Sequence, residues 1–124
     1  MIDHSQYQWR HAKPPHPGDK RMVYEVHVRG ETMLDENVPE SERGTFKGLG
    51  HPSVIMRLGR LTEIEIMPAQ AFHVTGNYWG YSTFNFFAPE PRYAVKGSSA
   101  QQVVDEFKWM VDEYHGAGKR IIMD

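Results

Sequence analysis

The sequence predicts an α/β fold in which about three parallel strands alternate with two helices. Three short segments rich in β-branched residues begin near positions 22, 63 and 120, and apolar residues at helical spacing lie between them. Alternating strands and helices favour a parallel sheet. The long loops that precede the helices then lie at the carboxyl ends of the strands, which is the edge where such sheets bind ligands.

The first half of the chain is expected to contain a strand, a long loop, a short helix and a second strand. These elements are predicted at residues 22–29, 31–50, 51–58 and 63–68, in that order. Pro52 suits the first position of the helix, and Pro68 ends the second strand.

The second half is expected to contain a loop at 69–98, a helix at 99–118 and a strand at 120–124. Ser99 is suited to cap this helix, and Gly116 and Gly118 end it. Its apolar stripe repeats at spacings of three and four residues and consists of Val103, Val104, Phe107, Met110, Val111 and Tyr114.

Composition excludes several classes of function. The formal net charge is −2 and no basic block is present, so binding to nucleic acid or to an anionic membrane is not expected. The chain has no cysteine, and its seven histidines show no ligand-type spacing, so no metal site and no cofactor are predicted. Neither a signal peptide nor a membrane-spanning run is visible, which predicts a cytoplasmic protein.

Residues 77–93, NYWGYSTFNFFAPEPRY, concentrate Tyr, Trp and Phe in one loop. Aromatic rings match the apolar C–H face of a pyranose ring and keep a polar group free for hydrogen bonding. Gly80 lets the backbone turn within this stretch. From the residues alone, burial in a core and stacking on a sugar both remain open.

The segments VYEVHVRGETMLDENVPESERGTFKGLGHP and NYWGYSTFNFFAPEPRYA resemble the glycogen-debranching and isoamylase branch of the α-amylase superfamily. That resemblance implies a partial (β/α)8 TIM barrel. Residues 1–21 would be the linker that leads into it, and residues 22–124 its first, truncated part. It also implies hydrolysis of α-1,6-glucosidic bonds, with an α-glucan such as glycogen, amylopectin or limit dextrin as the partner.

The resemblance further implies four substrate-binding residues. Tyr81 matches the tyrosine that stacks on the sugar beside the scissile bond, and Tyr78 and Trp79 precede it in the same loop. Asp124 matches the aspartate that opens a family motif after the third strand. A structural role is also expected for Trp79, as it is for Phe84, Phe86 and Phe87. No residue of this chain matches the catalytic nucleophile or the acid/base.

Other polar residues are interpreted as having structural roles. His27 is expected in the first strand as a buried structural histidine, and Arg92 is expected to pair with Glu90. The glycine-rich stretch GTFKGLG, residues 44–50, lacks a phosphate-binding pattern and is expected to be a flexible loop. The carboxylates, Asp124 excepted, are interpreted as solvated or structural.

Three hypotheses about function stay open at this stage. In the first, the chain is a truncated debranching fragment that is inactive alone. In the second, it is a small α-glucan-binding module that uses the aromatic residues of 77–93. In the third, it completes its barrel with a complementing partner chain.

Overall fold

The computed structural model describes all residues, 1–124, and its centre is a three-stranded parallel sheet. The strands are β1 (Val23–Val26), β2 (Glu63–Ile66) and β5 (Arg120–Met123), and β2 lies in the middle. Both pairings are parallel and in register along all four residues of each strand. The α/β class and the spatial order of the three predicted strands are therefore confirmed.

Four α-helices and a hairpin complete the fold. The helices are α1 (Val28–Thr32), α2 (Phe46–Leu49), α3 (Pro52–Arg57) and α4 (Ala100–Gly116), and the antiparallel hairpin pairs β3 (Gln70–Phe72) with β4 (Thr83–Pro89). The predicted short helix corresponds to α3, with proline at its first position. The predicted long helix corresponds to α4, where Ser99 and Gln102 form a capping box. No helix has both the length and the apolar composition needed to cross a bilayer.

The first strand is shorter than predicted. It ends at Val26 rather than Arg29, and α1 begins two residues later. The reason is His27, whose Nδ1 accepts a hydrogen bond from the Gly30 N–H at 3.0 Å and thereby caps the helix. This local hydrogen bond overrides the strand propensity of the following valine.

The predictions of a long loop at 31–50 and of a flexible loop at 44–50 within it are wrong. Those residues contain the end of α1, a 3₁₀ turn at Glu40–Glu42 and all of α2. Within the glycine-rich stretch, Phe46 and Leu49 are completely buried, and Thr45 caps α2 by accepting from the Gly48 N–H. Burial of these two apolar side chains fixes a segment that its glycines suggested would be mobile.

The loop predicted at 69–98 also contains regular structure. β3 and β4 pair within it, with shifts of register on both sides of Ala71. A 3₁₀ turn at Pro91–Tyr93 then leads towards α4. The irregular pairing explains why no simple two-residue alternation marks this hairpin in the sequence.

The core lies between the sheet, α4 and the short helices. Its fully buried apolar side chains include Phe46, Leu49, Val54, Ile64, Ile66, Met110 and Tyr114. The Tyr114 hydroxyl donates to the Leu49 carbonyl at 2.8 Å and so joins α4 to α2. Any side chain at Gly50 would meet the Trp109 ring and the Met110 backbone, so glycine is required where these helices approach.

The N-terminal segment is anchored to α4. Residues 3–11, which we call the strap, lie along α4, and three of them bind the completely buried carboxylate of Asp112. The Tyr7 hydroxyl, the Arg10 N–H and Nε–H, and the His11 N–H all donate to this carboxylate at 3.0–3.1 Å. The first part of the proposed linker is therefore held against the helix.

These contacts change the acidity of Asp112. Burial by itself raises the pKa of a carboxyl group, but the hydrogen bonds from Arg10, Tyr7 and His11 outweigh it and lower the pKa to about 2. Because that value lies below the ordinary 3.8, the ionised form stabilises the folded state. This contribution is fully present above about pH 4 and is lost as the pH falls towards 2.

We expect Asp112→Asn to lower the free energy of unfolding at pH 7 by about 2 kcal/mol, because the charge that gathers the strap is removed. The loss should shrink between pH 4 and pH 2, and limited proteolysis should cut the strap sooner. Urea unfolding across this pH range measures the loss of stability, and the rate of limited proteolysis measures the release of the strap. Glu36→Gln, at an exposed acid outside the strap and α4, is the control. Equal stability of the Asp112→Asn and Glu36→Gln variants would contradict the anchoring role.

Candidate functional site

The aromatic loop, defined here as Asn77–Tyr81, lies between β3 and β4 and beside the carboxyl end of β1. Its position is fixed by His27, the residue that directly follows β1. The His27 Nε2 lies 2.8 Å from the Tyr78 carbonyl oxygen. The loop therefore occupies the ligand-binding edge that the sequence predicted for it.

Hydrogen bonding determines which nitrogen of His27 carries the proton. The Gly30 N–H can only donate, so Nδ1 is the acceptor and carries no hydrogen. In the neutral ring Nε2 then bears the proton and donates it to the Tyr78 carbonyl. One imidazole thus caps α1 and holds the aromatic loop at the same time.

Ring contacts add to this hydrogen bond. The Tyr78 ring stacks on His27 with centroids 4.4 Å apart and planes 9° from parallel, and Trp79 meets Tyr78 edge-on at 5.3 Å. Tyr93 packs edge-on against His27 at 5.8 Å, with its hydroxyl 3.2 Å from Nε2. Burial raises the pKa of Tyr93 to about 12, so this hydroxyl stays protonated at neutral pH.

Asn77 closes the loop from within. Its side-chain amide donates to the carbonyls of His73 and Tyr81, and its Oδ1 accepts the Gly80 N–H at 3.1 Å. Gly80 has φ +89°, and a β-carbon there would collide with the Pro68 backbone. The loop can therefore take this path only with glycine at position 80.

The three aromatic site residues predicted in this loop are each about half exposed: Tyr78 51%, Trp79 54% and Tyr81 53%. Tyr78 is held by His27, whereas the Tyr81 ring contacts no other aromatic ring and is fixed through its backbone. The structure thus brings Tyr78 and Trp79 together around His27, with Tyr81 three residues further along the same closed turn. Rigid rings with open faces can stack on a flat apolar ligand.

Trp79 and the three phenylalanines of β4 were expected to be structural, but none of the four is buried in the core. Phe84, Phe86 and Phe87 are 63%, 71% and 98% exposed. They lie on a hairpin that forms its own two-stranded sheet, separate from the central one. Phe86 and Phe87 line an apolar groove of about 360 Å³ together with Trp9, Phe107 and Met123.

Asp124 lies exposed at the carboxyl end of β5, where its backbone N–H donates to the Ile66 carbonyl at 3.1 Å. No hydrogen bond joins its side chain to the aromatic loop. β2 separates β5 from β1, so Asp124 and His27 follow different strands of the same sheet edge. The prediction that Asp124 contacts substrate stays a prediction.

The buried carboxylates have structural partners. Glu63 forms ion pairs with Arg21 and Arg120, and Glu90 pairs with Arg92 at 2.6 Å, as expected. Burial alone raises the pKa of Glu90, but its hydrogen bonds with Arg92 and the Phe72 N–H lower it below the ordinary value. No group of three or more acidic or histidine side chains is placed to hold a metal ion.

Sequence reasoning missed three residues that shape the site. His27 was expected to be structural, and it is buried, but its double role in capping α1 and positioning Tyr78 was not foreseen. Asn77 and Tyr93 were not singled out. The pattern Asn-x-x-Gly at 77–80 is a signal for a side-chain-closed turn and could have identified Asn77.

Comparisons with known proteins identify relatives for nearly the whole chain. A glycogen debranching enzyme of Klebsiella pneumoniae is 39% identical over 129 aligned residues that cover 95% of this chain and 19% of the relative. A glycogen operon protein GlgX homolog of Mycobacterium bovis is 40% identical, with 95% and 18% covered. The chain thus spans about a fifth of the length of these curated relatives.

A solved structure is similar in its backbone as well. The pullulanase of Anoxybacillus sp. LM18-11, crystallised with maltotetraose, superposes with a TM-score of 0.72 and 27% identity. The match covers 84% of this chain and 18% of the pullulanase. No protein-family model matches the chain.

We expect His27→Ala to loosen the aromatic loop, because the Tyr78 carbonyl loses its donor and the Tyr78 ring loses its stacking partner. The near-ultraviolet circular dichroism of the aromatic residues should weaken, and the free energy of unfolding should fall by about 2 kcal/mol.

Two further variants separate the roles of this residue. His27→Asn keeps an acceptor that can cap α1 but is too short to reach Tyr78, so it should restore part of the stability without restoring the spectrum. His4→Ala, at an exposed histidine that contacts no aromatic ring, should change neither the spectrum nor the stability by a comparable amount. A folded His27→Ala variant with an unchanged aromatic spectrum would contradict the positioning role.

Proposed function

Because this chain belongs to the glycogen-debranching group of the α-amylase superfamily, we propose that it forms the first part of that family's catalytic barrel. In this proposal residues 1–21 lead into the barrel, and residues 22–124 supply its first three strands and an aromatic wall that contacts α-glucan.

The parallel sheet supports the barrel assignment. A (β/α)8 barrel begins with neighbouring parallel strands in sequence order, which is the order of β1, β2 and β5. The outer strands also expose apolar side chains: Val23 and Tyr24 on β1 are 42% and 37% exposed, and Met123 on β5 is 37% exposed. Exposed apolar edges of this kind suit strands that pair with further strands of a closed sheet.

The aromatic loop carries the proposed interaction with glucan. Its three rings keep about half of their surface open, while His27 and Asn77 hold its backbone. A sugar that stacks on such rings finds them already ordered, so little conformational entropy is lost on binding. Tyr81 is proposed as the main stacking residue, with Tyr78 and Trp79 beside it and Asp124 further along the strand edge.

Glycoside hydrolysis needs two carboxyl groups on either side of the bond, about 5–10 Å apart. In this chain Glu63, Glu90 and Asp112 are buried in ion pairs, and Glu31 and Asp35 bind Arg57. These acids are committed to structure and are poor candidates for proton transfer or nucleophilic attack. We therefore expect these 124 residues by themselves to bind α-glucan without cleaving it, and we assign hydrolysis of α-1,6 bonds to the complete barrel.

A second candidate role, assembly with a complementing chain, is favoured by the apolar groove beside α4 and by the exposed edge of β5. A polypeptide that supplies the next strands would cover both surfaces. Size-exclusion chromatography distinguishes this role, since a stable oligomer supports it.

The glucan-binding proposal is tested by titrating the 124-residue chain with maltotetraose. Tyr81→Ala should weaken binding about ten-fold, because the loss of one stacking ring removes roughly 1–2 kcal/mol. Tyr81→Phe should retain most of the affinity, since the ring remains.

Phe87→Ala is the matched control, because Phe87 is an exposed aromatic residue outside the aromatic loop. Absence of any saturable binding, or equal losses for the Tyr81→Ala and Phe87→Ala variants, would refute the proposal. Release of linear chains from amylopectin by the 124-residue chain would show that the assignment of its carboxylates is wrong.

A further inference from the structure

A basic cleft lies beside Tyr93 and shares no lining residue with the aromatic loop or the apolar groove. It has a volume of about 490 Å³ and is lined by segments within 29–33, 41–45 and 91–98. Four of the lining side chains are cationic and none is a carboxylate. The four cations are Arg29, Arg43, Arg92 and Lys96. This concentration of positive charge is local, because the whole chain has a net charge of −2.

Most of this charge is not neutralised by the protein. Of the four cations, only Arg92 forms an ion pair, with Glu90. Five of the eight arginines in the chain are ion-paired, and Arg29 and Arg43 are two of the three that are not. Arg43 donates its Nε–H to the Val38 carbonyl at 2.9 Å, which fixes the guanidinium and leaves its terminal nitrogens available.

Two buried acids lie near the cleft, and both have protein partners: Glu90 pairs with Arg92, and Glu106 is hydrogen-bonded by the turn before α4. Glu106 lies beneath the turn that precedes α4, where its two oxygens accept the Val95 N–H at 2.9 Å and the Ser98 hydroxyl at 2.6 Å. Both bonds hold the turn that carries Lys96, so this carboxylate orders the cleft wall. The lining also offers the Ser41 hydroxyl, for which the protein supplies no hydrogen-bond partner.

From these observations we infer that the cleft is a binding site for a phosphate-class oxyanion, either free phosphate or a phosphate ester on a sugar. Two unpaired guanidinium groups and an ammonium group that line one cleft without a carboxylate are the donors that such an anion prefers. The site adjoins the aromatic loop through Tyr93, whose neighbours in sequence line the cleft and whose ring packs on His27. A phosphorylated sugar chain could then contact both surfaces.

The inference is tested by nuclear magnetic resonance on the labelled 124-residue chain, titrated at low ionic strength with inorganic phosphate, with glucose 6-phosphate and with neutral maltotetraose. Both phosphate compounds should cause saturable shifts in the amides of 41–45 and 94–98, and high salt should suppress them. Maltotetraose should leave these amides unchanged. Tighter binding of glucose 6-phosphate identifies a phosphate ester as the ligand, and equal binding identifies the free ion.

The test variant is Arg29→Gln with Lys96→Gln, because both side chains are exposed and neither has a partner whose loss would unfold the protein. It should weaken phosphate binding about ten-fold or more. Lys20→Gln with Arg60→Gln removes the same net charge outside the cleft and should leave binding unchanged. No saturable shift in the parent chain, or equal losses in the two double variants, would overturn the inference. Because the phosphate titration contains no glucan, its result is independent of the proposed glucan binding.

Discussion

The parallel pairing of β2 with both β1 and β5 is the constraint on which the rest of the structure depends. Ile64 and Ile66 of β2 are completely buried, so the middle strand is fixed by main-chain hydrogen bonds on both sides and by the core on its face. Parallel strands direct all their carboxyl ends to one edge. Every long insertion in this chain therefore emerges on the same side, and residues far apart in sequence, such as His27 and Tyr78, are brought together there.

His27 connects the end of β1 to the aromatic loop and so fixes the position of that loop. It is the first residue after β1, its Nδ1 starts α1, and its Nε2 holds the aromatic loop. A helix cap is ordinarily a local device, but here the same ring also connects residues 51 positions apart. The basic cleft is linked to this junction through Tyr93, so the apolar and the charged surfaces are supported by one buried group of rings.

The sequence was sufficient for the features that depend on regular periodicity. The three strands, α3 and α4 were predicted because branched residues, a proline at the first helical position and a capping serine are local signals. The family resemblance also led to the correct relatives. The hairpin β3–β4 and helix α2 were missed because their structure depends on burial of Phe46 and Leu49 and on irregular pairing, neither of which leaves a repeating pattern. The same holds for Asp112, whose partners lie about a hundred residues away.

The closure of the aromatic loop by Asn77 makes that turn self-contained. One amide ties together the carbonyls of His73 and Tyr81 and the N–H of Gly80, so the shape of the turn is set by its own residues. The internal shape of the turn therefore depends on Asn77, whereas its position depends on His27 and on the Pro68 backbone against which Gly80 packs. Curvature and placement are thus encoded by different side chains, so that a substitution can disturb one of them and spare the other.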